Sequence, residues 1–262
     1  MLFEYDATTT RILGMPPYFL FTIIGVVFAS SLFMLFLLKY GYSIPRYTKI
    51  FFFSAGGLLI GAKLFGCLTG LYIALANNEP ITLETFLNTG IVFYGGLIGF
   101  ILSFLLICKI WNKKIDYGVV DLIAVCMPLF HSFARLGCFF AGCCYGIESD
   151  SWLSVRYTTR LYEETFTALR LPIQLIEAFV NILIFIILLF LLYKGKFRSH
   201  LLKVYLLMYA TARIMLEFFR GDIVRGVWSG ISLSQFISAL IIISCTSLLI
   251  IKKPKENNYG IL

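Results

Sequence analysis

Seven stretches of the chain are almost wholly apolar, and short polar connections separate them. Each stretch has about the 20 residues that a helix needs to cross the hydrocarbon core of a bilayer. The pattern therefore predicts an all-α polytopic membrane protein with about seven transmembrane helices. The predicted helices lie near residues 18–38, 51–75, 91–110, 119–139, 173–193, 201–219 and 231–251.

The longest connection between the predicted helices, about residues 140–172, is too aromatic for a disordered linker. Its SWLSVRY portion alternates apolar and polar residues and predicts a short strand, whereas LYEETFTALR predicts a short surface helix. We expect the connection to form a small ordered cap. Together with an arm at 1–17 and a tail at 252–262, the chain is expected to form one integral membrane domain, 1–262.

Basic residues predict the orientation of this domain. Outside the helices, lysines occur only in the connections after the first, third and fifth helices and in the tail. Because lysine and arginine near helix ends are retained on the cytoplasmic side, the arm and the cap are predicted to be exterior and the tail cytoplasmic. The basic residues of the exterior connections are all arginines, which bind phosphate or carboxylate in a bidentate way.

Composition supports a membrane protein, since 60% of the 262 residues are hydrophobic and only 14% are charged. The net charge of +8 follows mostly from the lysines that set the topology. Nucleic acid is not expected as a partner, because these lysines are dispersed in short loops without interleaved aromatic residues.

The sixth predicted helix carries ionisable residues at membrane depth. At 100° per residue, Tyr209, Arg213, Glu217 and Arg220 fall on one face about 80° wide. Each charge at this depth costs about 2.5–3.5 kcal/mol on insertion scales, so such residues usually mark a site. A purely structural ion pair between Arg213 and Glu217 is the alternative. We favour a site that receives a lipid phosphate.

The fourth predicted helix repeats this arrangement. If it continues through Pro128, then Asp121, His131, Arg135 and Cys138 lie with that proline on a stripe about 100° wide. His131 and Arg135 are i,i+4 neighbours and lie close enough to act on one ligand. A histidine in an apolar helix is more often a packing residue, so Arg135 is the stronger candidate.

Three of the seven cysteines, Cys138, Cys143 and Cys144, lie within seven residues of sequence. Free packing thiols are the first interpretation, an exterior disulfide the second, and metal or acyl-carrying chemistry the third. A metal centre is disfavoured because no C-x2-C pair is present. No metal and no cofactor are therefore expected, and the sequence shows no nucleotide-binding loop or haem ligand set.

Five motifs resemble those of prolipoprotein diacylglyceryl transferases, in the family's order and over nearly the whole chain. RLGCFFAGCCYG, from Arg135 to Gly146, resembles the signature R-x-G-N-F-x-N-x-E-x-x-G. In GAKL, Lys63 stands where the family has arginine, and FYGGLIG at 93–99 resembles F-H-G-G-L-I-G. The other two motifs are PIQLIE at 172–177 and the sixth-helix set Tyr209, Arg213, Glu217, Phe218, Phe219 and Arg220.

The resemblance implies a reaction at the outer side of the bacterial plasma membrane. A diacylglyceryl group passes from phosphatidylglycerol to the thiol of a lipobox cysteine in a prolipoprotein, and glycerol phosphate is released. Arg135 and Arg213 would stabilise the negative charge that develops on the departing phosphate. Glu217 would hold Arg213, and Tyr209 would donate a hydrogen bond to a phosphate oxygen. The nucleophile belongs to the acceptor.

Departures from the family pattern concern the base and the acceptor. Tyr94 replaces the family's histidine and is a poorer base at neutral pH, so His131 is considered as a substitute. Cys138, Ala141 and Cys143 replace two asparagines and an acid, which predicts a difference in acceptor recognition.

The remaining candidates are expected to bind substrate. Gly95 and Gly96 favour either close approach of a ligand to the backbone or close helix packing. The full set of expected substrate-binding residues is Tyr18, Lys63, Gly95, Gly96, Asp121, Cys138, Gly146, Tyr209 and Arg220. Two alternative functions stay open: a divergent relative that uses another acceptor, and a non-catalytic lipid-binding or transport protein, although no inverted repeat is visible.

Overall fold

The computed structural model describes residues 4–7, 11–76, 80–87, 89, 93–111, 116–161, 164–221, 227–228 and 231–251, so the predicted tail at 252–262 lies outside them. Within these ranges the chain is mostly helical, and the predicted positions of the helices are confirmed. The helices are α1 Pro17–Lys39, α2 Ile44–Ala76, α3 Leu83–Leu87, α4 Phe93–Ile110, α5 Tyr117–Phe140, α6 Ile173–Tyr193, α7 Leu201–Glu217 and α8 Leu233–Ile251.

Four helices of the described chain are long and apolar enough to cross a membrane. They comprise Pro17–Lys39, Ile44–Tyr72, Tyr117–Phe140 and Ile173–Tyr193. Large apolar side chains on these helices, such as Phe19 and Leu35 of α1, are more than half exposed. Contiguous apolar surface of this kind suits a lipid environment.

The chain divides into two compact units, of which the smaller is Met34–Asp116. Within this unit α2 packs along α4 at glycine positions. A Cβ atom added to Gly95 would lie only 2.5 Å from the carbonyl oxygen of Gly61, so the two helix backbones approach as closely as small residues allow. At Gly95, therefore, the close-packing interpretation has direct structural support.

The larger unit contains Met1–Phe33 and Tyr117–Leu262. In it α5 packs against α6 and α7, and α7 also packs against α8. The helix α5 continues through Pro128, as the predicted stripe requires. This packing places one face of α5 opposite the inner faces of α6 and α7.

The connection between α5 and α6 supplies two strands of a three-stranded sheet, and the N-terminal arm supplies the third. Its strands are β1 Glu4–Asp6, β2 Val155–Leu161 and β3 Glu164–Arg170 in the order β1-β2-β3, with β1 parallel and β3 antiparallel to β2. The predicted strand is confirmed from Val155 onward.

The surface helix predicted for LYEETFTALR is wrong, because residues Glu164–Arg170 form β3. The segment alternates β-branched and apolar residues, and this composition fits a half-buried strand. The hydroxyls of Thr158 on β2 and Thr167 on β3 lie 2.9 Å apart across the ladder and stabilise this register. A second ladder pairs β4 Val227–Trp228 with β5 Ile231–Ser232.

The inner face of the sheet packs on the end of α5. Phe139, Tyr145, Val155 and Tyr157 form a buried cluster there, and Tyr5 of β1 stacks on Phe139 with ring centroids 5.2 Å apart. The Tyr157 hydroxyl donates a hydrogen bond to the carbonyl oxygen of Phe139. Burial raises the pKa of Tyr157, so this hydroxyl stays neutral. The contact fixes the sheet relative to the signature segment.

Asp121, which was expected to bind substrate, contacts the start of α7. Its carboxylate accepts hydrogen bonds from the backbone N–H groups of Ser199, at 2.5 Å, and Leu201, at 2.9 Å, where α7 begins. A buried carboxylate in this place satisfies amide groups that a helix start leaves without partners. Arg135 lies about 21 Å farther along α5 at 1.5 Å per residue.

Replacing Asp121 with leucine is expected to destabilise the protein by about 1–3 kcal/mol, because two amide donors lose their acceptor. The D121N variant keeps one carbonyl oxygen and is expected to lose less. Thermal unfolding in detergent measures both effects. A D121L protein that unfolds at the wild-type temperature would contradict the capping role.

Candidate active site

One buried carboxylate, that of Glu177 on α6, contacts arginines from two other helices. Its Oε2 atom lies 2.7 Å from Nε of Arg135 on α5, and its Oε1 atom lies 2.5 Å from Nη1 of Arg213 on α7. The three side chains are at most 12% exposed. The two guanidinium groups therefore converge within the larger unit, as the sequence predicted.

Arg213 is held on its other side by α7 and α8. Its Nη2 atom lies 2.6 Å from Oε2 of Glu217, one turn further along the same helix, so the predicted pairing of these residues is present. The same Nη2 atom donates a hydrogen bond to Oγ of Ser234 at 3.4 Å. Side chains from four helices, α5 to α8, thus meet in one polar network.

The network is electrically balanced, because two guanidinium groups face two carboxylates. Buried charges need such pairing, since an isolated ion inside a low-dielectric medium is strongly unfavourable. The contact of Arg135 with Glu177 is made through Nε, and a guanidinium group carries further N–H donors on Nη1 and Nη2 that suit an anionic ligand.

His131 and Tyr209 lie beside this network and against each other. The two ring centroids are 4.9 Å apart, and His131 is 4% exposed. His131 also lies near enough to Arg135 and Arg213 for electrostatic interaction. The structure therefore brings the predicted histidine and tyrosine together with both arginines.

The end of the signature segment pairs directly with the residues that follow α7. Gly146 and Arg220 form an antiparallel bridge, and the backbone N–H of Ile147 donates to the carbonyl oxygen of Phe219 at 3.0 Å. Gly146 has no room for a side chain, because an added Cβ would overlap the carbonyl oxygen of Leu171. This backbone contact holds Arg220, which is 7% exposed, beside the signature segment.

The three clustered cysteines lie together at the end of α5. Their sulfur atoms are within 4.8 Å of one another. Hydrogen bonds with the thiols of Cys138 and Cys143 hold the pKa of Cys144 well below its usual value, and the positive charges of Arg135 and Arg220 act in the same direction. The cluster is therefore adjacent to the arginines in space as well as in sequence.

Nine of the predicted residues belong to the larger unit and lie at or beside the network. They are Tyr18, His131, Arg135, Cys138, Gly146, Tyr209, Arg213, Glu217 and Arg220. Tyr18 contacts the signature segment, since a Cβ atom added to Gly137 would lie 3.2 Å from its Cα atom.

The other predicted residues, apart from Asp121, belong to the smaller unit. Lys63 donates hydrogen bonds from Nζ to the carbonyl oxygen of Thr89 at 2.9 Å and to its hydroxyl at 3.2 Å. Gly95 and Gly96 lie in the first turns of α4. Tyr94 also belongs to α4, but its side chain lies outside the described part of the structure.

Glu177 is the residue that sequence analysis missed as a site residue. It is the only acidic residue in the predicted fifth helix and ends the PIQLIE motif. The argument that selected Arg213, a charge at membrane depth, applies equally to Glu177.

A family model described as prolipoprotein diacylglyceryl transferase matches residues 10–251. The chain belongs to this family. The network around Glu177 is thus a feature of a prolipoprotein diacylglyceryl transferase family member.

Several relatives in this family carry the name phosphatidylglycerol–prolipoprotein diacylglyceryl transferase. The protein from Clostridium tetani is 33% identical over 187 residues, which are 71% of this chain and 74% of the relative. A second such transferase of Clostridium perfringens is 28% identical over 235 residues, or 88% and 89% of the two chains. The protein from Campylobacter curvus is 31% identical over 209 residues, or 72% and 71%.

Replacing Glu177 with glutamine is expected to destabilise the protein by about 3–5 kcal/mol, because the buried arginines keep their charges and lose a shared partner. Chemical or thermal unfolding in detergent measures the change. The matched control is E148Q, which breaks an ion pair with Arg170 in which the carboxylate is 69% exposed. That variant is expected to lose at most about 1 kcal/mol. Equal effects of the two substitutions would contradict the role given to Glu177.

Proposed function

We propose that the protein transfers the diacylglyceryl group of phosphatidylglycerol to the thiol of a lipobox cysteine in a prolipoprotein and releases glycerol phosphate. The observation that carries this proposal is the convergence of Arg135 and Arg213 on Glu177 inside an apolar helical unit. Family membership supports the same reaction.

The chemistry requires stabilisation of a leaving phosphate. A carbon–oxygen bond of the phosphate ester breaks as the acceptor sulfur forms a carbon–sulfur bond, and the glycerol phosphate leaves with the electron pair. Preorganised cations in a water-poor site stabilise the charge that develops there. Arg135 presents its two Nη groups to the phosphate, and such a fork binds two phosphate oxygens at once.

The other residues position these cations. Glu177 and Glu217 fix the orientation of Arg213, and Glu177 fixes Nε of Arg135. Tyr209 supplies a hydroxyl that donates to a phosphate oxygen, and Arg220 extends the positive surface beyond the end of α7. His131 or Tyr94 receives the proton of the acceptor thiol, with His131 favoured by its contact with Tyr209.

An apolar groove suits the acyl chains of the donor lipid. The groove lies between α6 and α7 and encloses about 450 Å³. It is lined by Val180, Leu183, Ile184 and Ile187 of α6 and by Leu207, Met208 and Met215 of α7.

The proposed topology has seven spans, with α4, α7 and α8 added to the four long apolar helices. The N-terminal arm and the sheet lie on the exterior, and the tail at 252–262 is cytoplasmic in a bacterial plasma membrane. All of residues 1–262 then form a single membrane domain. The headgroup site opens to the outer leaflet, where the acceptor prolipoprotein arrives.

Alanine substitution of Arg135 or of Arg213 is expected to lower turnover by about 10²- to 10³-fold, since each removes a preorganised charge. The assay gives purified protein phosphatidylglycerol and a lipobox peptide and measures the modified peptide by mass. R135K is expected to recover only part of the activity, because an ammonium group does not bind two oxygens in a fork.

The control for these variants is R198A, which removes an arginine from the connection between α6 and α7. Circular dichroism verifies that each variant is folded. Unchanged turnover in folded R135A and R213A would contradict the proposal. Release of glycerol phosphate without peptide modification would identify a different acceptor, and absence of release from the wild type would favour binding or transport.

A further inference from the structure

The thiols of Cys138, Cys143 and Cys144 form a compact cluster that the phosphate chemistry does not use. Cys138 lies in the last turn of α5, and the chain then turns back so that the backbone N–H of Cys143 donates to the carbonyl oxygen of Cys138 at 3.2 Å. The turn brings all three sulfur atoms within 4.8 Å of one another.

Packing alone does not account for this cluster. Cys126 and Cys245 show what packing cysteines look like here, since each is buried within an apolar helix. Cys143 is instead exposed and Cys144 is partly exposed. A disulfide would join two of the three sulfur atoms and leave the third beside it. A site that uses three sulfur ligands accounts for the whole cluster.

The spacing of the sulfur atoms is close to that of a metal site. Three thiolates around a tetrahedral zinc ion, with Zn–S bonds of about 2.3 Å, have sulfur atoms about 3.8 Å apart. The sulfur atoms here lie within 4.8 Å of one another, so each needs to move by about 1 Å or less to reach the spacing of a zinc site. Thiolate ligands select thiophilic ions such as zinc.

The surrounding charges also favour a metal thiolate. Three thiolates and one divalent cation carry a net charge of −1. Cys144 interacts electrostatically with both Arg135 and Arg220, and these cations stabilise an anionic complex.

We propose that Cys138, Cys143 and Cys144 bind one thiophilic divalent cation as three thiolates and leave its fourth position to the cysteine thiol of the acceptor. The proposal rests on the transferase function given above. Three protein ligands with an open fourth position are the arrangement of catalytic zinc sites. Cys143, the exposed member, places the open side where a peptide can approach.

The metal supplies the activation that the missing family histidine would have given. As the acceptor thiol binds, its S–H bond breaks, a sulfur–metal bond forms and the proton passes to the base of the proposed function, His131 or Tyr94. The bound sulfur then forms the carbon–sulfur bond while the carbon–oxygen bond to phosphate breaks. Glycerol phosphate takes the electron pair, and the oxidation state of the metal does not change. Arg135, one turn before Cys138 on α5, is near enough to receive the phosphate.

Metal binding is measured first, on the full chain, after its cysteines have been reduced and any bound metal has been removed with a chelator. After addition of Zn²⁺ and desalting, elemental analysis is expected to find one zinc per wild-type chain. With Co²⁺ as probe, sulfur-to-cobalt charge-transfer absorption is expected in the near ultraviolet. C143S and C144S are expected to lose both signals, whereas C126S, in the same helix as Cys138, keeps them. Wild type without zinc, or equal zinc in C143S, C144S and C126S, would overturn the proposal.

The acceptor's role is measured on the Co²⁺ protein. A lipobox peptide with its cysteine is expected to change the cobalt spectrum, and the same peptide with serine is not. Equal spectral changes with the two peptides would overturn the proposal that the fourth position on the metal is open to the acceptor thiol. Removal of the metal is expected to lower the rate of transfer by about 10²-fold or more, which is the effect of losing a general base. Addition of zinc is expected to restore the rate.

The two proposals fail in different ways. Full transfer by metal-free wild type overturns the metal site and leaves the transferase function standing. Absence of transfer from zinc-loaded wild type overturns the transferase function, and with it the role of the acceptor thiol. A disulfide found between any two of the three cysteines in protein isolated without oxidation also overturns the metal site.

Discussion

The arrangement of the candidate site depends on one carboxylate that two buried guanidinium groups share. Glu177 joins α5 to α7 through Arg135 and Arg213, and it does so from a third helix. Because each charge at this depth is unfavourable alone, the three residues and Glu217 stabilise one another only as a set. In the proposed function, stability of the helical unit and recognition of a phosphate rest on the same contacts.

The sheet and the signature segment complete the site from one end of the helices. Gly146 pairs with Arg220, and the cluster around Tyr157 anchors the sheet to the end of α5. Cys143 and Cys144 lie between these anchors, and Cys143 stands where the family pattern has an acid. The replacement of that acid, and of the family histidine by Tyr94, alters the residues available to activate an acceptor thiol. The thiol cluster lies close to the place of that change.

Hydrophobic pattern was sufficient to predict the helices, since spans of apolar residues leave few alternatives in a bilayer. Helical periodicity placed Tyr209, Arg213 and Glu217 correctly on α7, but α7 ends at Glu217 and Arg220 lies beyond it in a bridge with Gly146. Glu177 was missed because one acidic residue in an apolar helix has no periodic partner in its own helix. The pairing of β1 with β2 and the contact between Asp121 and the start of α7 depend on residues distant in sequence. Local pattern does not encode such contacts.

The most direct test of the central claim is a double-mutant cycle on binding of glycerol phosphate, measured by calorimetry. The four proteins are wild type, R135Q, R213Q and the double variant. If Glu177 makes the two arginines one anion site, the cycle gives a coupling free energy above about 1 kcal/mol. If the losses of binding free energy in R135Q and R213Q add up to the loss in the double variant within about 0.5 kcal/mol, the two charges act independently and the account is contradicted.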